Sequence, residues 1–385
     1  MSKRIAILGS TGSIGTNALE VIEHLGGDYR AVALSANKQL DKLAEQVKKH
    51  RPTAVAVPDD ADASICREIE RSGAKIYRGA DGLVQLVRRD DVDTVLAAIV
   101  GAAGLPATFA AVRAGKRLAL ANKESLVVAG SLLIQEARQN SVTILPVDSE
   151  HSAVFQVMHA GKLGEIEKVI LTASGGPFRT WSQEAMESAT PQAALNHPTW
   201  RMGAKITIDS ATLFNKGLEL IEACWLFDLP PAKVKVVIHP ESIVHSMVEF
   251  VDASTLAQLS PPDMRTPIQY ALTYPERVRG CGKRLDFTKA QAWNFAPPDP
   301  EKFPALRIAY DVAERGGTLG AVMNAANEVA VNAFLTGKIG LGGICKAVEL
   351  TIRRHRVQPA ASLDDLLEAD QWARTTTTDL LSEVR

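Results

Sequence analysis

At 385 residues the chain is longer than one ordinary hydrophobic core supports, so two or three domains are expected. With 46% hydrophobic residues, 23% charged residues and a formal net charge of -1, nothing in the balance selects nucleic acid or an anionic membrane as a partner. The four cysteines, Cys66, Cys224, Cys281 and Cys345, are scattered without a CxxC pair, which argues against a disulfide framework and a thiolate zinc site and fits a reducing cytosol.

The run over 4–8 (RIAIL) reads as a buried strand and leaves no room for a signal or transit segment before it, so a cytoplasmic enzyme is expected. No apolar run approaches the roughly 18 residues of a membrane span. Further strands are predicted over 31–34, 54–57, 94–98 and 143–145, separated by helical patterns over 13–25, 40–50, 106–114 and 124–139. Short apolar strands alternating with amphipathic helices imply an α/β, doubly wound, Rossmann-like parallel sheet over residues 1–150. From 151 to 285 strand-like runs at 169–172, 234–238, 246–250 and 255–259 mix with one strong helix at 211–227, giving an α+β second domain. Within it, 191–203 lacks periodicity and reads as a long, functional loop. Residues 286–303 form a proline-containing linker, and the helical spacings over 305–314, 321–335, 343–355 and 363–381 predict a C-terminal helical bundle spanning 304–385.

The first strand runs into Gly9-Ser10-Thr11-Gly12-Ser13-Ile14-Gly15 just before a helical pattern, the arrangement that seats a pyrophosphate on helix N-terminal N–H groups. The spacing is GxxGxxG, and an ordinary strand-to-helix turn is the competing meaning. The second strand ends in Ser35-Ala36-Asn37-Lys38, with no carboxylate for a ribose 2′-hydroxyl and a cation that suits a 2′-phosphate, which favours NADP over NAD. Asn122-Lys123-Glu124 lie after another strand, where such sheets bind ligands; a helix cap is the alternative.

Asp148 and Glu150 follow the strand at 143–145. If the backbone stays extended the two carboxylates point the same way, and a cation between them would relieve their repulsion. Hard oxygen donors without thiolate suit magnesium or manganese. Simple capping of the next helix is the other meaning. Asn215, Lys216 and Glu219 share a helical face, either as part of a site or as a surface ion pair. Gly217 beside them is a poor choice for an exposed helix and speaks for a close neighbour. Ser174-Gly175-Gly176 after the strand at 169–172 offers a phosphate cradle or an ordinary turn. His197 and Trp200 sit in the long loop, as buried packing or as a lid. His239, ending an apolar strand, reads as structural.

In order along the chain, GSTGSIG, LANKESLV, PVDSEHSAVFQ, ASGGPFR, HPTWRMGAKITIDSATLFNKGLE and PDMRTPI resemble the 1-deoxy-D-xylulose 5-phosphate reductoisomerase family. The resemblance implies NADPH contacts from Thr11, Gly12, Ser13, Ile14, Asn122, Glu124 and Gly203. Where the family often carries a Gly-cation-Asn run, this chain has Asn37-Lys38-Gln39; the cation is kept, and Asn37 and Lys38 stand as this segment's cofactor candidates.

It further implies a divalent metal (Mg2+, Mn2+ or Co2+) on Asp148, Glu150 and Glu219, and a substrate held by Lys123, Ser149, Glu150, Ser174, His197, Ser210, Asn215, Lys216 and Glu219. Ser174, Ser210, Asn215 and Lys216 would form its phosphate pocket, and Trp200 and Met202 the closing lid. Lys123, Asp148, Glu150, Glu219 and His197 are the expected catalytic set. The implied reaction is an NADPH- and metal-dependent isomerisation and reduction of 1-deoxy-D-xylulose 5-phosphate to 2-C-methyl-D-erythritol 4-phosphate, on the way to isoprenoid precursors, by a homodimer. The nearest alternative is a simple NADP-dependent dehydrogenase without metal, and beyond it a non-catalytic NADP sensor.

Overall fold

The computed structural model describes residues 3–384 and divides into two compact units, each built from several stretches of chain. β1 (Lys3–Leu8) is buried from Ile5 to Leu8, as a strand must be when helices cover both faces of its sheet. It lies in the first unit, formed by residues up to Ser125 together with Leu133–Ser152 and Asp263–Lys283. The other strands there are β2 (Tyr29–Ser35), β3 (Ala54–Val57), β4 (Lys75–Arg78), β5 (Thr94–Ala97), β6 (Arg117–Leu120) and β7 (Ile144–Pro146). They form one parallel sheet in the order β4-β3-β2-β1-β5-β6-β7. The order reverses between β1 and β5, and ligands of open α/β sheets bind at that reversal, beyond the strands' carboxyl ends.

β4 and the helices Ala63–Arg71 and Gly79–Val87 were not predicted. β4 is an edge strand with charge at both ends, and Lys75 and Arg78 are exposed, so it lacks the apolar run that marks a buried strand. The helix Arg265–Thr273 groups with this first unit, although its sequence neighbours place it in the second predicted domain. It packs on the helix Ser13–Leu25 and the ends of β6 and β7, and the Arg117 guanidinium donates to the Tyr274 carbonyl at 2.9 Å.

The second unit contains Leu126–Leu132, Ala153–Pro262 and the chain from Arg284 onward. Its sheet runs β11-β10-β8-β9, with β8 (Ile166–Ala173) parallel to β9 (Val234–Ile238) and antiparallel to β10 (Val244–Phe250), which pairs with β11 (Thr255–Leu259). The helix predicted over 211–227 is observed as Phe214–Phe227, and an unpredicted helix, Ala204–Ala211, precedes it; buried Leu213 between them adopts the left-handed conformation with φ 59°. Nothing in the side chain of Leu213 favours that conformation, so packing imposes it. The segment 191–203 holds a short helix, Pro191–Leu195, capped by the Thr190 hydroxyl, before the irregular part begins. Helices Ala305–Arg315, Leu319–Leu335, Leu341–Arg354 and Leu363–Leu380 form the C-terminal bundle, within a few residues of the predicted spans.

Candidate active site

In the first unit, the turn after β1 is held from beneath. The Ser10 N–H donates to the Ser35 carbonyl at 2.8 Å, and the Gly9 N–H donates to Ser35 Oγ at 3.0 Å. Gln46, buried on the helix Leu40–His50, accepts from Ser10 Oγ at 2.7 Å and donates to the Ser10 carbonyl at 2.9 Å. The helix Ser13–Leu25 starts after Gly12 with no side-chain cap, so its first N–H groups remain for an anion. Thr11 is buried, Ile14 half-buried, and Gly12 and Ser13 are exposed. The Lys42 ammonium reaches the Thr11 carbonyl at 2.9 Å and adds positive charge to the turn. Neither Lys42 nor Gln46 was singled out from sequence, because a lysine and a glutamine on an amphipathic helix carry no local signal. Asn37 and Lys38 stand exposed just past β2.

Asn122 is buried, and its side chain shapes the loops at the ends of β5 and β6. Its Nδ2 donates to the carbonyls of Ile99 and Gly101, the latter at 2.9 Å, and its Oδ1 accepts from the Ser125 N–H at 2.9 Å. Glu124, also buried, opens the helix Glu124–Gln139. Lys123, at the end of β6, makes an ion pair with Asp148, at the end of the neighbouring β7. A buried ammonium and a largely buried carboxylate are thus placed at the carboxyl edge of the sheet.

The strand alternation expected to align Asp148 with Glu150 does not occur. β7 stops at Pro146 and the helix Ser149–Met158 begins, so Asp148 precedes the helix and Glu150 lies in its first turn. Asp148 Oδ1 accepts from the Ser149 N–H at 3.0 Å, and the Ser149 hydroxyl donates to Glu150. The N-terminal helix dipole favours negative charge there, so this unit presents two oxygen donors of the kind a hard divalent ion takes.

In the second unit, Ser174 follows β8. Its Oγ lies 2.9 Å from His197 Nε2, which is 3.1 Å from Ser210 Oγ. His197 Nδ1 accepts from the backbone N–H groups of Thr199 at 3.1 Å and Trp200 at 2.9 Å. With the Nδ1 lone pair engaged twice, the ring proton resides on Nε2 and points to the two serines. Burial, with a smaller contribution from Arg179, lowers the His197 pKa, so the ring is neutral at neutral pH. Gly176 has φ 68°, and a Cβ there would stand 2.5 Å from the Ser210 carbonyl oxygen; the cradle after β8 closes onto the Ser210 helix only because this residue has no side chain.

Gly203 is the N-cap residue of that helix, and Trp200 is half-buried 6.3 Å from the His245 ring. His239 is structural, as expected: its Nδ1 donates to the Asn294 carbonyl at 2.9 Å, and its Nε2 accepts from Ile243 and Val244 at 3.1 Å each.

On the helix Phe214–Phe227, Glu219 is fully buried. Lys216 Nζ lies 2.5 Å from Glu219 Oε2, and Asn215 Nδ2 donates to Glu219 Oε1 at 2.6 Å. The surface ion-pair reading therefore fails, since the Lys216 and Glu219 side chains are 3% and 0% exposed. The neighbour that Gly217 implied is the helix Ala305–Arg315, where Ala309 Cβ would meet an added Cβ at 2.9 Å.

The family model for 1-deoxy-D-xylulose 5-phosphate reductoisomerase matches residues 5–130, the model for its C-terminal domain matches 144–227, and a DXP reductoisomerase C-terminal domain model matches 259–376. The 1-deoxy-D-xylulose 5-phosphate reductoisomerase of Geobacter sp. (strain M21) is 49% identical over 380 residues, which cover 98% of this chain and 99% of that one. The chain belongs to the 1-deoxy-D-xylulose 5-phosphate reductoisomerase family. Its fold agrees with solved members of that family. The reductoisomerase from Zymomonas mobilis in complex with NADPH superposes with a TM-score of 0.92 at 44% identity, covering 100% of both chains. A DOX-P reductoisomerase in complex with NADPH, fosmidomycin and magnesium superposes with a TM-score of 0.95 at 43% identity, again over 100% of both chains.

Proposed function

We propose that this enzyme carries out its family's reaction, the NADPH- and divalent-metal-dependent isomerisation and reduction of 1-deoxy-D-xylulose 5-phosphate to 2-C-methyl-D-erythritol 4-phosphate. Membership over nearly the whole chain supports the reaction class. The observation that carries the site is the full burial of Glu219 against Lys216 and Asn215, because a carboxylate is kept dry at such cost only where its charge is used.

NADPH is assigned to Thr11, Gly12, Ser13, Ile14, Asn37, Lys38, Asn122, Glu124 and Gly203. The uncapped helix start at Ser13 suits its pyrophosphate, and the carboxylate-free end of β2 suits a 2′-phosphate. The metal is assigned to Asp148, Glu150 and Glu219. All are hard oxygen donors, and Asp148 and Glu219 each rest on an ammonium, which fits magnesium, manganese or cobalt. When bound, the two groups supply a hydride and a Lewis acid, respectively.

The chain's own residues do the rest. Ser174, His197, Ser210, Asn215 and Lys216 hold the phosphate end of the substrate, with the His197 Nε2–H donating. Lys123 and Ser149 hold the reacting end, where the Lys123 ammonium offsets negative charge as it develops. Anchoring the unreactive phosphate lets its binding energy order the reacting atoms and draw the segment carrying Trp200 and Met202 over them.

We place the enzyme in the cytoplasm, in keeping with four free cysteines, and as a homodimer. β11 supports the second point, being an edge strand with Leu256 exposed, next to exposed Val251. No helix among the described residues is long and apolar enough to cross a membrane.

The test is NADPH absorbance with 1-deoxy-D-xylulose 5-phosphate, with and without a chelator. Loss of absorbance that stops on chelation and resumes with added magnesium is expected. Oxidation that persists under chelation would leave the simple dehydrogenase reading instead.

A further inference from the structure

The helix Ala204–Ala211, which carries Ser210, is short and needs outside support to hold a side chain in place. On one side Gly176 meets the Ser210 carbonyl. On the other, the preceding residue, Asp209, is 1% exposed and has two partners. Its Oδ2 lies 2.6 Å from Lys205 Nζ one helical turn earlier, and its Oδ1 accepts from Asn327 Nδ2 at 2.8 Å.

Asn327 belongs to the C-terminal bundle. It sits in the helix Leu319–Leu335, 0% exposed, with Ala325, Ala326, Ala330 and Val331 buried around it in sequence. Its amide oxygen is buried and has no hydrogen-bond partner among the described residues. An apolar side chain there would remove that orphaned oxygen but would strip the buried Asp209 carboxylate of its amide donor, so the amide is retained for what it gives Asp209. What the amide supplies is one donor to a buried carboxylate, and a hydrogen bond to a charged acceptor is among the stronger ones. That bond ties residues 118 positions apart.

We propose that Asn327 is a positioning residue for the phosphate pocket. By holding Asp209 it fixes the helix on which Ser210 faces His197, so the C-terminal bundle sets the geometry of substrate binding from behind. The Asp209 charge is paired with Lys205 and hydrogen-bonded by the Asn327 amide, which limits its repulsion of an incoming phosphate. The inference rests on the assignment of Ser174, His197 and Ser210 to the phosphate made above.

The experiment compares the whole enzyme with Asn327→Asp, with the exchanged pair Asp209→Asn/Asn327→Asp, and with Ser210→Ala. It measures KM for 1-deoxy-D-xylulose 5-phosphate, KM for NADPH, kcat and melting temperature. Asn327→Asp sets a second carboxylate against Asp209 and is expected to raise the substrate KM by about tenfold or more, with the NADPH KM unchanged. The exchanged pair restores one carboxylate and one amide and is expected to recover most of that loss. A merely structural residue would not show recovery confined to the substrate KM.

An unchanged substrate KM in Asn327→Asp, beside a raised one in Ser210→Ala, overturns the role of Asn327 and leaves the pocket standing. An unchanged KM in Ser210→Ala removes the pocket assignment itself. If Asn327→Asp fails to fold, the exchanged pair decides: a folded enzyme with near-normal substrate KM supports the proposal, and a second failure to fold makes the pair a core element and overturns it.

Discussion

Lys123 at the end of β6 is ion-paired with Asp148 at the end of β7, two residues brought together only because those strands are neighbours in the parallel sheet. In the second unit Lys216 and Glu219 repeat the arrangement on a single helix, with both side chains buried. In both places an ammonium lies directly against a carboxylate that is assigned to the metal, so each proposed ligand already has a cationic neighbour.

Replacing Glu219 with Gln keeps the size and a hydrogen-bond acceptor while removing the charge. Turnover is expected to drop by at least about a hundredfold, with the NADPH dissociation constant nearly unchanged. Fluorescence titration with NADPH alongside steady-state rates makes the comparison. Near-normal turnover would take Glu219 out of the metal set.

Ser174→Ala removes one hydroxyl near His197 Nε2. The substrate KM is expected to rise by about tenfold, the worth of one hydrogen bond to a charged group, with a smaller change in kcat. A KM that stays put would count against Ser174 as a phosphate contact.

Gly217→Ala sets a methyl 2.9 Å from Ala309 Cβ and 3.3 Å from the Ala305 carbonyl oxygen. Both neighbours lie on a packed helix and cannot swing away, so a loss of about 1–3 kcal/mol is expected, as for other overpacked cores. Denaturant titration reads it directly. Because Lys216 and Glu219 flank this position, activity should fall with stability; a variant as stable as the parent would mean that the two helices separate freely.

The half-buried, neutral state of His197 makes stability depend on pH. Its folded pKa is lowered, chiefly by burial, below the value of about 6.5 that the unfolded chain shows. Between the two values the unfolded chain takes up a proton that the folded chain refuses, so this contribution is complete above pH ~6.5 and is lost as the pH falls toward the folded value. Denaturant midpoints at about pH 7.5 and about pH 5.5 should therefore fall further apart in the parent than in His197→Gln. Equal separations would show that the ring is free to protonate in place.

Gln46→Leu removes both hydrogen bonds to Ser10 beneath the cofactor turn and leaves the Ser10 hydroxyl only the more distant Ser35 carbonyl, at 3.2 Å, as an acceptor. The NADPH KM is expected to rise by about tenfold while the substrate KM holds. If both constants move together, the clamp supports the unit at large and not the turn.

Much of this molecule is legible along the chain. The helices Ser13–Leu25, Leu40–His50 and Glu124–Gln139 begin and end where their apolar spacing does, β3 is a continuous buried apolar run, and β9 is an apolar run broken only by exposed Lys235. The turn Gly9 to Gly15 declares itself by composition and by its place between a strand and a helix. β4 escaped because an edge strand need not be apolar, and the break at Leu213 escaped because its left-handed φ is imposed from outside. Asp148 and Glu150 were found by residue type, but for a strand geometry that the helix beginning at Ser149 replaces.

By itself the sequence determined the periodicities, the glycine turn and the residue types of the site, since each of these is a property of neighbours within a few positions. Only the tertiary structure decided which of those residues are spent on each other. Asn122 is committed to the loops at the ends of β5 and β6, His197 is held as the Nε2–H tautomer between two serines, and Asp209 is tied to a helix more than a hundred residues away. The physical reason is that a hydrogen bond or an ion pair depends on distance in space, and burial, which sets its strength, is a sum over every segment that covers it.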